Sequence, residues 1–399
     1  MKTKSVKPAD RQSVLEKRRN LKMARSAHAY VRGNTLKFYE WLESGPGKQI
    51  PEGPPVWICG DCHVGNLGPV ANAKGRVEIA IRDLDQTVIG NPAHDLIRLG
   101  LSLATAARGS DLPGVTTAVA LEQMMDGYEE ALSHPARDYD DFEEMPKPVR
   151  LILKQATKRE WRHLAEERLE NVKPNIPLGD YFWALASNEK KEIDRLFDTK
   201  EARHLVTSLH GREDQAKIRV VDAAYWMKGC SSLGRLRYAV LIQIGKHGEM
   251  CLIDIKEAIK AAAPRTAHTA MPANNAGRVV EGACRLSPYL GERMLAASLL
   301  SRDVFVRELM PQDLKLELDQ LTREEATSAA RYLASVVGKA HGRQMDVETR
   351  RKWTAELGRH RARNLDAPSW LWASIVQLVA SHEAAYLEHC RHYAMKKTA

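Results

Sequence analysis

The 399-residue chain has no apolar run near the roughly 20 residues that cross a bilayer, and its longest, around Leu99 to Ala107 and Trp370 to Ala380, fall well short. No membrane contact is expected. The basic opening segment MKTKSVKPADRQSVLEKRRN has no apolar stretch behind it, so no secretory leader is expected and the cytoplasm is the expected location. Cysteine is scarce: the six at positions 59, 62, 230, 251, 284 and 390 lack the spacing of a disulfide framework, and a cytoplasmic address keeps them reduced. Cys59, Cys62 and His63 spell a c-type haem attachment site, but haem attachment needs export, which the same absence of a leader argues against. Aromatic residues are only 6%, and the basic residues are spread along the chain, so a nucleic-acid platform is not expected. Internal repeats, low-complexity tracts, an HExxH stretch and a Ser-His-Asp order are all missing. His382, His389, Cys390 and His392 share one late helical segment without closed zinc spacing, which predicts a surface or packing role.

What is present is a large apolar fraction, 44%, enough for one large core or two moderate ones. Sixty Lys and Arg against 51 Asp and Glu leave +9, which favours anionic partners and suits a phosphate-bearing small ligand. Helical spacing over 22–43 is broken by SGPGKQIPEGPP, after which VWIC (56–59) reads as a short buried strand. A hairpin follows, LGPV and RVEIAI around the turn ANAKG, and a long helix begins near Ala93. Residues 115–215 read as mainly helical, interrupted at NVKPNIPLG. LRYAVLIQIGKHGEMCLIDIKEA then reads as two strands joined at Lys246, His247 and Gly248, and helices return near 322–342 and 368–395. This order predicts an α+β protein.

The chemistry concentrates in ICGDCHVGN (58–66). A strand delivers Asp61 into a turn, Gly65 permits close backbone approach, and Asn66 stands five residues after the carboxylate. That spacing suits a base that takes a hydroxyl proton, with the amide holding magnesium, as in kinase catalytic loops; an Asx-rich turn is the plain alternative. Asp83 ends the next hairpin strand and returns to the mouth of the same loop, which gives Asn66 a second hard-oxygen partner. Asp85 is either a further ligand or a cap on the following turn.

GDCHVGN followed by IRDLDQTVIGNPAHDL resembles the paired GDLHPGN and IDFDDAGIGDPAYDL motifs of the aminoglycoside phosphotransferase branch of the protein-kinase-like fold. The resemblance implies Asp61 as catalytic base, Asn66 and Asp83 as magnesium ligands, Asp95 as the structural aspartate opening the next helix, and His63 as a brace of the loop. GCSSLGR (229–235) lacks the Lys-Ser/Thr of a Walker A loop and is followed by a strand. It reads better as a Gly-rich hairpin over nucleotide phosphates, through Gly229, Ser231, Ser232 and Gly234, with Ser231 at the usual middle glycine. Lys256 in CLIDIKEA falls where a kinase lysine grips phosphates, and Glu281 in AGRVVEGACRL is the expected carboxylate beside it.

VRELMPQDLKLEL (306–318) resembles an interlobe hinge and ATSAARYLASVVGKAHGRQ the helix that precedes a kinase catalytic loop, yet both follow Asp61 in this chain. The expected fold is therefore a circularly permuted protein-kinase-like one, tolerable where termini lie close together at the surface. Its expected parts are 1–114 (catalytic loop and metal site), 115–215 (helical part of the large lobe, acceptor binding), 216–313 (small nucleotide lobe) and 314–399 (hinge and C-terminal helices). With RSAHAYVRGNT near the start, the whole arrangement resembles the bacterial domain-of-unknown-function 2252 family over nearly the full chain, and this aligns Arg32 with an Arg-Gly pair that reaches a phosphate or a substrate anion. The resemblance implies an ATP- and magnesium-dependent phosphotransferase acting on a hydroxyl of a small molecule or a protein. AMP transfer to a protein hydroxyl, or a nucleotide-binding pseudokinase that regulates a partner, are the alternatives.

Overall fold

The computed structural model describes residues 6–44, 49–135, 145–169, 175–209, 212–213, 216–245, 248–316, 321–359, 361–362 and 365–393. The expected turn at Lys246 and His247, and parts of the loops read at 44–55 and 171–179, lie outside the described residues. The N-terminal helices are α1 (Arg11–Met23), α2 (Ala27–Gly33) and α3 (Thr35–Glu43). The side chains of Ser26 and Asn34 accept from Ala29 N and Lys37 N and so satisfy backbone donors that a helix start leaves open. Strand β1 (Val56–Ile58) leads into the 58–66 loop, followed by the expected hairpin of β2 (Leu67–Ala71) and β3 (Val77–Ile81). Its turn is held by Asn72, whose side-chain oxygen accepts from Lys74 N and Arg76 N, and by Gly75 in the left-handed region at φ 78°. Strand β4 (Val88–Gly90) pairs back onto β1.

Helix α4 (Ala93–Gly109) lies in the middle of the helical core, and α5 (Gly114–Ser133) and α6 (Lys147–Thr157) follow it. The remaining elements are α7 (Trp161–Leu169), β5 (Phe182–Trp183), α8 (Ser187–Asp198), α9 (Lys200–Thr207), β6 (Ile218–Trp226), β7 (Arg237–Ile244), β8 (Glu249–Glu257), α10 (Asn275–Leu286), α11 (Pro288–Gly291), β9 (Met294–Leu299), β10 (Arg302–Leu309), α12 (Arg323–Gly342), α13 (Val347–Gly358), β11 (Arg361–Ala362), β12 (Leu365–Pro368) and α14 (Ser369–Tyr393). Helices α12 and α14 fall where the sequence periodicity puts them. Helix α12 crosses α5 at backbone contact: a Cβ at Gly127 would lie 2.1 Å from the Arg331 carbonyl oxygen, and one at Gly338 would lie 2.5 Å from that of Tyr128. No helix among the described residues is long and apolar enough to cross a membrane.

The architecture is α+β. Its sheet is larger than the expected two strands: six antiparallel strands in the order β5-β6-β7-β8-β10-β9. Two apolar layers cover it, because side chains alternate between faces along each strand. Tyr238, Val240, Ile242, Ile253, Ile255 and Val304 pack with Ile193, Phe197 and Val206 of α8 and α9 and with Leu15 of α1. On the other face Ala239, Leu241, Leu252 and Leu309 pack with Leu164 and Leu169 of α7. A separate core joins both ends of the chain, with Phe38, Leu96, Leu121 and Val149 meeting Leu333, Val337, Leu371 and Ile375. The packing thus divides the 115–215 segment assigned to the large lobe: α5 and α6 belong to the helical core, whereas α7, α8 and α9 clothe the sheet.

Candidate active site

The 58–66 loop starts where β1 stops, and a buried aspartate from the next helix catches its backbone. Cys59 N and Gly60 N donate to Asp95 Oδ2 and Oδ1 at 2.7 and 3.0 Å. His341 Nε2 lies 3.2 Å from Asp95 Oδ2, and Tyr128 links the His341 Nδ1 side to Trp353. Gly60 adopts φ 74°, and a Cβ there would lie 2.2 Å from the Gln86 carbonyl oxygen, so the turn requires glycine. Asp61 is buried at the cleft wall. Arg98 Nε donates to its Oδ1 at 2.8 Å and Thr35 Oγ1 to its Oδ2 at 2.9 Å, which fixes the carboxylate while each oxygen keeps a further lone pair. Asn66 spends its amide N–H on the Asp61 carbonyl at 2.9 Å, so its Oδ1 is the atom left for another partner. Arg82 N donates to Asn66 O at 2.7 Å, which brings Asp83, one residue on, beside Asn66.

The β8 register sets what lies behind the opposing wall, which Arg237 and Arg307 line and Lys256, Asp254 and Asp85 do not. Lys256 faces Arg237 across β7 and Phe305 across β10, and Asp254 faces Arg307, so these groups share one sheet face. Lys256 Nζ lies 3.4 Å from Asp83 Oδ1 and forms a closer ion pair with Asp85 Oδ2. Burial works against ionising Asp83, but the positive charges of Lys256 and Arg307 prevail and hold it below the usual carboxylate range. Burial and the neighbouring Asp83 charge push Asp85 up instead, despite Lys256. Asp85 Oδ1 is buried without a hydrogen-bond partner.

The expected Lys256–Glu281 pair is not formed. Glu281 is 40% exposed on α10 and pairs with Arg285, one helical turn on, at 2.9 Å. Helix α10 reaches the site through Arg278, which donates to Asp85 O at 3.0 Å, to Ile259 O at 2.8 Å and to Thr87 O. The carboxylates beside Lys256 come from the 83–85 segment.

Of the other residues picked out in the sequence, Arg32, His63, Gly229, Ser231 and Ser232 line the same cleft as Asp61, Asn66 and Asp83, and Gly234 does not. Gly229 and Gly234 both take left-handed conformations, at φ 100° and 99°, and Lys22 Nζ from α1 ties down the Gly229 carbonyl at 2.8 Å. The Arg32 guanidinium lies against Gly65, where a Cβ would stand 2.9 Å from Nη2. The thiols of Cys59 and Cys62 are buried, Cys59 Sγ donates to the Asp83 carbonyl at 3.5 Å, and the neighbouring Cys62 thiol together with burial pushes Cys59 well up.

Burial pushes His63 down to about 3, with Arg32 and Arg98 adding to the effect and Asp61 opposing it, and burial pushes His382 down to about 4. Both values lie below the roughly 6.5 of an unfolded chain, so the unfolded state takes the proton first and stability rises with pH across the window. The contribution of each is complete above about 6.5 and is lost progressively toward its folded value. Between pH 7 and 5 each neutral buried histidine should account for about 2 kcal/mol of lost stability. Denaturant titrations of wild type and His63→Asn at the two pH values test this; identical pH slopes would refute it.

The profile of the family described as uncharacterized protein conserved in bacteria (DUF2252) matches residues 11–392. The chain belongs to the DUF2252 family. No curated protein and no solved structure matches it.

The cleft of this DUF2252 chain measures about 800 Å³ and is strongly basic, with nine Lys and Arg side chains against Asp61, Asp83 and Glu167. Several residues that shape it carry no local motif. Arg98, the partner of Asp61, stands three residues after Asp95 on an otherwise apolar helix face, and this buried arginine is the signal the sequence did offer. Arg237 and Arg307 share the carboxylate of Asp254, a pairing that depends on strand register.

Proposed function

We propose that this chain is an ATP- and magnesium-dependent phosphotransferase acting on a hydroxyl group, with a circularly permuted protein-kinase-like fold. The observation that carries the reading is the meeting of Asp61 and Asn66 from one loop with Asp83 from the next hairpin, opposite a buried lysine bonded to Asp83 and Asp85. The permutation is supported by the end of α12. Gln344 accepts from Trp57 N at 2.8 Å and donates to Trp57 O at 3.0 Å, so the helix that comes late in the chain abuts the strand leading into Asp61.

Asp61 accepts the proton of the attacking hydroxyl while Arg98 and Thr35 keep its carboxylate oriented. Lys256 aligns donor phosphates under the loop of Gly229, Ser231 and Ser232. Asn66 Oδ1, Asp83 and the unpaired Oδ1 of Asp85 fit magnesium, which takes one or two carboxylates together with waters and phosphate oxygens. Such an ion supplies charge neutralisation on the transferred phosphate. Among the described residues no group of three or more His, Cys, Asp or Glu side chains is arranged to hold a metal by itself.

The test is thermal stability with ATP and magnesium for wild type, Asp83→Ala and Lys256→Ala. Nucleotide at about 100 times its Kd should stabilise wild type by about 2.7 kcal/mol and both variants by much less. Undiminished stabilisation of both would remove the site. A second reading, AMP transfer to a protein hydroxyl, is favoured by the excess of cations lining the cleft, which would hold a triphosphate tail if the nucleotide lay reversed. The mass added to the acceptor, phosphoryl or adenylyl, separates the two.

A further inference from the structure

We propose that the end of the cleft beside the C-terminus of β10 is a phosphate-binding subsite, in which Lys228, Arg168 and Arg82 hold a phosphoryl group where a purine would need an apolar slot. The inference deepens the phosphotransferase reading and rests on it only for the identity of the ligand that brings the phosphate.

Three observations converge there. The recess beyond the cleft, bounded by Val70, Leu309 and Met310 among others, measures about 40 Å³. At roughly 10–15 Å³ per water-sized sphere it holds about three oxygens and excludes a purine. Helix α7 closes the adjoining sheet face by packing Leu164 and Leu169 against Ala239 and Leu241.

The second observation is an excess of cations. Asp254 is shared by Arg237 and Arg307, Asp313 is taken by Arg293 in a two-oxygen contact, and Glu167 pairs with both Arg159 and Arg168. Lys228 is left without a carboxylate: among the described residues its ammonium makes no hydrogen bond or ion pair, and it lies 4.3 Å from the centre of the Trp226 ring.

The third is unsatisfied donors. Arg82 Nε and Arg168 Nε are buried with no hydrogen-bond partner, at a cost that a phosphate oxygen would remove. Burial pushes Lys228 well down, and the neighbouring positive charges of Arg168 and Arg237 add to the effect. A phosphate offers several strong acceptors and the missing negative charge at once.

The phosphate comes either from the donor's tail or from a phosphate-bearing acceptor, and competition distinguishes the sources. The full chain is titrated calorimetrically with tripolyphosphate and, separately, with adenosine, in the absence of magnesium, using wild type, Lys228→Met, Arg168→Gln and Asp83→Ala. Wild type should bind tripolyphosphate and not adenosine. Lys228→Met should melt no lower than wild type without ligand, because a partly buried charge with no carboxylate partner is gone, and should bind tripolyphosphate roughly 10- to 100-fold more weakly. Arg168→Gln should show the same loss in affinity, whereas Asp83→Ala, which removes a carboxylate from beside Arg82 and Lys256, should bind tripolyphosphate at least as tightly as wild type. Loss of tripolyphosphate when ATP is added assigns the subsite to the donor; simultaneous binding assigns it to the acceptor. The subsite is overturned if adenosine binds and tripolyphosphate does not, or if tripolyphosphate binds wild type, Lys228→Met and Arg168→Gln alike. Failure of magnesium-ATP to stabilise wild type, with tripolyphosphate still bound through Lys228, would remove the phosphotransferase and leave the subsite.

Discussion

Asn in place of Asp61 is expected to lower ATP turnover by roughly 10²- to 10⁴-fold, the usual worth of a positioned general base, without a matching loss of nucleotide affinity. The separation follows from position. Asp61 lines the cleft through a carboxylate held by Arg98 and Thr35, whereas the magnesium and phosphate contacts are assigned to Asn66, Asp83 and Lys256. The substitution also touches stability. Arg98 is 1% exposed and has two anchors, Asp61 Oδ1 and the Val31 carbonyl at 2.7 Å. Removing one partner of a buried ion pair costs about 3–5 kcal/mol, and asparagine, which still presents an oxygen, should fall at or below the low end. ATP consumption, with water or the chain itself as acceptor, should therefore be measured well below the variant's melting temperature. Thr35→Ala provides the control, since it removes one orienting bond and keeps the charge, and should cost far less activity than Asp61→Asn. Equal losses in the two variants would mean that Asp61 positions the loop and takes no proton.

Legibility of the fold and site in the sequence tracked how far apart the interacting residues lie. Asp61, Asn66 and Asp83 sit on a single strand-loop-hairpin unit with a turn that Asn72 and Gly75 announce, so their convergence is local geometry. Helices α12 and α14 were readable because their apolar positions repeat at helical spacing over more than five turns. Glu281 misled because a stretch of irregular chain, 258–274, separates Lys256 from α10, and nothing in that stretch sets the rotation of the helix. Arg278 turned to the 85–87 backbone, and Asp85, left open between ligand and cap, became the closer partner of Lys256. Helices α7, α8 and α9 were equally ambiguous, since an amphipathic helix does not encode whether its apolar face meets a sheet or other helices. The basic end of the cleft draws Arg82, Arg168, Lys228 and Arg307 from four distant segments, and no motif search joins them.

Asp95→Ala should be the most destabilising single change at the site, by about 3–5 kcal/mol, and should disable the cleft without touching a residue that lines it. Asp95 is wholly buried and satisfies three groups at once: two backbone donors, Cys59 N and Gly60 N, and the His341 ring. Alanine leaves both amides in a place that side chains seal from water, at about 1–3 kcal/mol for each orphaned donor. His341 then keeps only Tyr128, which also serves Trp353, so the loss extends into the contact between α5 and α12. Against a typical domain stability of about 5–15 kcal/mol this is a large share. Asp95→Asn tests the mechanism: its amide retains one acceptor oxygen and turns the other position into a donor facing an N–H, so it should lie between wild type and alanine. The Gly60 turn aims Asp61, so any folded population of either variant should bind magnesium-ATP and turn it over slowly. Denaturant unfolding gives the order, and an Asp95→Ala cost under about 1 kcal/mol would mean that water reaches the Cys59 and Gly60 amides and that the aspartate is not what fixes the loop.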